Sequence, residues 1–102
     1  MTQVTIPPGI TVLEFTASWC GPCRQIAPVL TALATEYKAS LVVVDTEADP
    51  VTAQHYGVRA MPTVVLLRDG REVGRVVGAR PRAFFAGMLD RAFAGDVAIA
   101  GP

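Results

Sequence analysis

Between Ile10 and Tyr37 the apolar residues of this chain change their period, and both of its cysteines stand at the change. Ile10 to Thr16 reads as a strand, with Leu13 and Phe15 pointing one way and Val12 and Glu14 the other. Apolar residues on both faces suit a central place in a parallel or mixed sheet. From Cys20 onward, Ile26, Leu30, Leu33 and Tyr37 recur at helical spacing. Cys20 and Cys23 therefore lie one helical turn apart at a strand-to-helix junction, within Trp19-Cys20-Gly21-Pro22-Cys23.

The rest of the chain extends this start. Pro28 falls inside the first helix and predicts a kink there, because proline lacks a backbone donor and crowds the preceding turn. Leu41 to Val44 is a second buried strand. Asp49-Pro50 reads as an N-cap followed by a first-turn proline, and the short helix it opens ends at Gly57 in a left-handed cap. Pro62 to Leu67 is a third strand, Asp69-Gly70 a hairpin turn, and Glu72 to Val77 a fourth strand antiparallel to the third. Pro81 opens a last helix that gathers Phe85, Met88, Leu89 and Ala92 on one face, and the tail from Ala94 is expected to fray. Gln3 to Ile6 is a candidate edge strand. The order β-α-β-α-β-β-α implies an α/β fold: a mixed sheet of four strands, or five with that edge strand, flanked by helices on both faces. The 102 residues suffice for one domain, 1–102, and not for two.

Charge narrows the partners. Nine basic and nine acidic residues cancel, so no global field draws the chain to nucleic acid or to a membrane surface. Five arginines lie between Arg68 and Arg82, but Asp69 and Glu72 dilute them, and they read as a solvated surface. No apolar run approaches the ~20 residues of a membrane-spanning helix. The first residues, through Pro7-Pro8, have neither the basic flank nor the apolar region of a signal peptide. The expectation is a cytoplasmic protein. In a reducing compartment a CxxC pair is catalytic or metal-binding more readily than it is a structural staple.

A thiol reacts as thiolate, and a helix start favours the anion through its unpaired N–H groups and the positive end of its dipole. Cys23, one turn in, is close enough to close a small ring with Cys20. Pro22 fixes the backbone between them without needing a donor, and Gly21 leaves room for another chain. This spacing suits thiol–disulfide exchange: Cys20, expected to be the exposed thiol, attacks a substrate disulfide, and the more buried Cys23 resolves the mixed disulfide. Two incidental cysteines, or a zinc site, are the weaker readings; zinc needs about four ligands, and His55, the one histidine, lies in another element.

Phe15 to Arg24, FTASWCGPCR, resembles the active-site segment of thioredoxins, and Pro28, Met61-Pro62-Thr63, Asp69-Gly70 and Gly78-Ala79 extend the resemblance over residues 10 to 94. The resemblance implies the thioredoxin fold and protein-disulfide reductase activity, with the Cys20–Cys23 redox disulfide in place of any cofactor. It implies disulfide-containing client proteins and a thioredoxin-reductase-type flavoenzyme as partners. It casts Pro62 as a cis-proline facing the disulfide, and Met61 as the residue whose backbone meets an extended substrate. Trp19, Gly21, Pro22, Ala60, Gly78 and Ala79 would then line the substrate groove. Glu14 stands where thioredoxins usually carry aspartate beneath the resolving cysteine, and is expected to be the general base for Cys23.

The chain departs from the pattern at its start. Nine residues precede Ile10, too few for the extra strand and helix that thioredoxins usually carry there. The face that helix would cover is expected to bear smaller or more polar residues, or to be covered by another chain, so that a monomer or weak dimer is anticipated. A function of another class also fits: a binding or assembly subunit in which redox chemistry is secondary. A glutathione-dependent reading is opposed by Trp19 and by Gly21-Pro22.

Overall fold

Strand β1, Ile10–Thr16, is an inner strand of a four-stranded sheet. A computed structural model describes residues 4–95. After β1 come α1 (Gly21–Tyr37), β2 (Ser40–Asp45), α2 (Pro50–His55), β3 (Thr63–Arg68), β4 (Arg71–Val77) and α3 (Arg82–Phe93). β1 runs parallel to β2 and antiparallel to β3, and β3 pairs antiparallel with β4. The parallel pair needs a crossover, which α1 supplies. β3 and β4 need only the turn at Asp69-Gly70, where both residues take positive φ.

The alternation along β1 divides the core. Ile10 and Val12 join Ile26, Leu30 and Leu33 of α1 and Phe85, Met88 and Leu89 of α3. Leu13 and Phe15 face the other way, with Val44, Val65, Leu67 and Ala53 of α2. Fully burying each large apolar side chain contributes roughly 1.5–3 kcal/mol, so both faces of the sheet help to hold the fold. α1 and α3 are also linked at their rims: the Tyr37 hydroxyl donates to Asp90 at 2.7 Å, and the Arg82 guanidinium donates to Glu36 at 2.7 Å. At the pole away from the end of β1, the Arg68 guanidinium donates to the Ala92 carbonyl and fixes the end of α3.

Local details refine the sequence expectations. Pro28 is exposed on α1, and the helix continues through it to Tyr37. Asp49 caps α2 through the Thr52 N–H, and Gly57 follows with φ +68°. β3 begins at Thr63, one residue after Pro62. The expected edge strand falls partly outside the described residues at Gln3, and Val4 to Ile6 are not a strand.

Those N-terminal residues have a different job. Val4 and Ile6 pack against the Leu13–Phe15 cluster, together with Val42, Tyr56 and Val58. The segment is held at its end by a reciprocal pair: the Gly9 N–H donates to Asp69 Oδ1 at 2.7 Å, and the Asp69 N–H donates to the Gly9 carbonyl at 2.9 Å. Leu13, Phe15, Val65 and Leu67 are consequently 0% exposed. The expectation of small or polar residues on this face is corrected: large apolar residues line it, and Val4 and Ile6 pack against them alongside Ala53, Tyr56 and Val58. Ile6→Asp should place a carboxylate against this cluster and lower stability by about 1–3 kcal/mol, read as a lower urea midpoint at unchanged slope.

Candidate active site

β1 ends at Thr16 and α1 begins at Gly21, so the intervening turn brings the cysteines to one pole of the sheet. Cys20 is the N-cap of α1 with extended backbone, one position earlier than its expected place in the first turn. A capping residue must offer an acceptor to an unpaired N–H, and here that acceptor is sulfur. The Cys23 N–H donates to Cys20 Sγ at 3.2 Å. The two are joined as a disulfide, with Cα atoms 5.3 Å apart. In this oxidised form the Cys20 sulfur stands where the thiolate of the reduced form would sit, and the same N–H would then meet an anion. A hydrogen bond to an ion is roughly twice as strong as a neutral one, so the cap favours the thiolate.

The cysteines are less different in exposure than in surroundings. Cys20 is 3% exposed and Cys23 1%, so the picture of an outward-facing Cys20 is corrected. Both pack with Ala17, and Met61 closes over them from the loop before β3. The asymmetry lies in direction along the chain: Cys20 is at the rim of the helix, and Cys23 is inside its first turn. Trp19 is 64% exposed beside them, on the surface rather than packed against the sheet.

The residues expected to line a groove lie on three segments of the chain. The Met61–Pro62 peptide is cis and Pro62 is buried. The Gly78 N–H donates to the Pro62 carbonyl at 2.8 Å, which sets the start of the segment after β4 against this loop. Gly78 takes φ +100°, a left-handed conformation that a side chain would strain. Thr63 Oγ1 donates to the Ala60 carbonyl at 2.6 Å and fixes the loop from inside. Ala60, Ala79 and Pro22 are exposed and Gly21 is half-buried. An open cavity of about 590 Å³ flanks Met61, lined by Thr46, Gln54, Val58 and Arg59 among others. Thr46, which has no signature in sequence, donates to the Thr16 carbonyl and lies 3.9 Å from Met61 Sδ. His55 is exposed on α2, stacked edge-on to Tyr56, and no cluster of potential metal ligands is present among the described residues.

Glu14 is 2% exposed. It lies in register with Val43 on one side and Val64 on the other, so no charge faces it from the neighbouring strands. It shares its sheet face with Val12, beneath α1, two residues from the end of β1. Burial alone pushes the Glu14 carboxyl above the ordinary carboxylate range.

Comparison with known proteins bears on the same residues. The thioredoxin family model matches residues 2–91. The chain is 42% identical over 85 residues to a thioredoxin of Staphylococcus aureus, an alignment spanning 81% of this chain and 82% of that protein. Its structure resembles that of Fasciola hepatica thioredoxin with TM-score 0.76 and 40% identity, covering 81% of this chain and 80% of that one. It likewise resembles reduced Schistosoma mansoni thioredoxin with TM-score 0.76 and 39% identity, covering 82% and 79%.

Proposed function

This chain belongs to the thioredoxin family, and from that premise we propose how its own residues divide the work of protein-disulfide reduction. The activity is thioredoxin-type disulfide reduction, with the redox couple carried by the protein's own cysteines, and it draws on disulfide client proteins and a thioredoxin reductase. In our reading the Cys20 thiolate attacks one sulfur of a client disulfide. The client S–S bond breaks, the departing client thiolate takes a proton, and Cys20 is joined to the client. Glu14 accepts the Cys23 proton, and the Cys23 thiolate attacks Cys20 Sγ. The mixed disulfide breaks and the second client thiol leaves. Two electrons have passed to the client, and the Cys20–Cys23 disulfide remains for the reductase.

The observation that carries the assignment is the capping geometry: the Cys23 N–H points at Cys20 Sγ, so Cys20 is the sulfur whose anion the helix start favours. Trp19, Gly21, Pro22, Ala60, Met61, Pro62, Gly78 and Ala79 form the client groove in this proposal, with the backbone of Met61 meeting an extended client segment. The buried sheet face supports a monomer: among the described residues the exposed large apolar side chains are Trp19, Val43, Val51 and Phe93. No helix among the described residues is long and apolar enough to cross a membrane, and we place the protein in the cytoplasm, where reduced dithiols persist.

The test is reduction of insulin disulfides in the presence of a thioredoxin-reductase flavoenzyme and its reductant. The expected result is multiple turnovers that saturate with insulin and that glutathione cannot sustain in place of the flavoenzyme. A protein that binds clients but leaves their disulfides intact would sink the assignment in favour of a binding subunit.

A further inference from the structure

The turn that delivers Trp19 and Cys20 to the site is gripped from outside by two charged side chains of other elements. Residues 17–20 form a tight turn, closed by the Cys20 N–H donating to the Ala17 carbonyl at 3.1 Å. Ser18 and Trp19 are its central residues. Every polar group of Ser18 is engaged by a charged partner. Its N–H and its hydroxyl donate to Glu47 Oε1, at 3.1 and 2.7 Å. Its carbonyl accepts from Arg24 Nη1 at 2.9 Å. Glu47 is steadied in turn, since its own N–H donates to Asp45 Oδ1 at 2.9 Å. The Arg24 side chain folds back toward the helix start, where Nη2 lies 3.9 Å from the position a Cβ on Gly21 would take.

These contacts follow from the sheet. β1 and β2 are parallel, with Thr16 opposite Asp45. Two residues further along each chain stand Ser18 and Glu47, so the register itself brings the carboxylate to the turn. Arg24 comes from the first turn of α1, on the opposite side. The anion takes the two donors of Ser18 and the cation takes its acceptor, and the turn is left with one orientation.

We propose that Glu47 and Arg24 are positioning residues for disulfide exchange, fixing the turn that aims Trp19 at the client and seats Cys20 as the helix cap. The proposal rests on the reading of Cys20 as the attacking thiol. All three residues are exposed, so the grip adds little to overall stability, because exposed charged contacts compete with water and ions. Its effect is on geometry, and a misplacement of ~1 Å at a reacting group can cost on the order of 10²-fold in rate.

The experiment compares Glu47→Ala with Glu47→Gln, which keeps an acceptor oxygen for Ser18 but no charge. Three properties are read: kcat/KM for insulin reduction, the anisotropy of Trp19, which is the only tryptophan, and the pH profile of Cys20 alkylation in the reduced protein. Glu47→Ala should lower kcat/KM roughly tenfold, loosen Trp19, and move the alkylation profile to higher pH, with a near wild-type Tm. Glu47→Gln should recover most of all three. Wild-type kcat/KM and anisotropy in Glu47→Ala would overturn the proposal. So would equal losses in both variants, since charge and not grip would then be the cause. Turnover by Cys20→Ser would overturn the assignment beneath it, whatever Glu47 does.

Discussion

Cys20→Ser should abolish insulin reduction, with a loss of at least ~10³-fold, whereas Cys23→Ser should perform the first chemical step and stop. The two outcomes differ because the two sulfurs occupy different steps. A hydroxyl at position 20 does not ionise near neutral pH even at a helix start, and it has no sulfur to share, so no mixed disulfide should form. A hydroxyl at position 23 leaves the attack intact but cannot resolve it, and the client stays attached through Cys20. Incubation of Cys23→Ser with cell extract, followed by non-reducing electrophoresis and identification of the adducts, checks the prediction and names the clients. Adducts at Cys23 in the Cys20→Ser protein, in place of adducts at Cys20, would reverse the roles.

Glu14→Gln should act in opposite directions on rate and stability. Resolution of the mixed disulfide slows by about 10²-fold near neutral pH, since a positioned general base contributes typically 10²–10⁴-fold. The pH profile changes with it. In the wild type the resolving rate should climb as Glu14 loses its proton, at a pH above the ordinary carboxylate range because burial raises that group. The variant lacks this limb and gains rate only as Cys23 ionises by itself. Stability moves the other way. A carboxyl whose folded pKa lies above its unfolded value holds its proton more firmly in the folded state. Between those two values the folded protein binds more protons than the unfolded chain, so stability falls as pH rises through that window. Below the window Glu14 costs nothing relative to glutamine, and above it the full cost of a buried anion is present. Glu14→Gln should therefore raise Tm at neutral pH by several degrees, for a gain of about 1–2 kcal/mol, and the gain should vanish at low pH. Scanning calorimetry at a series of pH values reads the stability arm, and stopped-flow resolution of a preformed mixed disulfide reads the rate arm. An unchanged resolving rate across neutral pH would remove Glu14 from the mechanism.

What could be read from sequence was whatever local chemistry decides. The period change at Cys20, the Asp49-Pro50 helix start and the Asp69-Gly70 turn each depend on a few adjacent residues, and each appears where expected. The two faces of β1 followed from alternation alone. The misreadings share a different cause. Val4 and Ile6 alternate like a strand, but a strand needs an edge to pair with, and these residues lie on a face. A helix start is usually open to solvent, and Cys20 on that ground should be exposed; Met61, remote in sequence, closes over it. Glu47 carries no signal that links it to Ser18, since only the parallel register of β1 and β2 makes them neighbours. Glu14 was visible because a carboxylate in an apolar strand is costly wherever the strand lies, and so calls for a reason on its own.

The bond from the Arg68 guanidinium to the Ala92 carbonyl has a practical meaning for anyone attaching this protein to something else. It holds the end of α3 beside the first residue of β1, since Arg68 is paired with Ile10. β1 is seven residues long, so that pole stands about 20 Å from the cysteines. A tether joined at the end of α3 therefore starts from the pole away from the cysteines, and attachment there should leave insulin reduction at the wild-type rate.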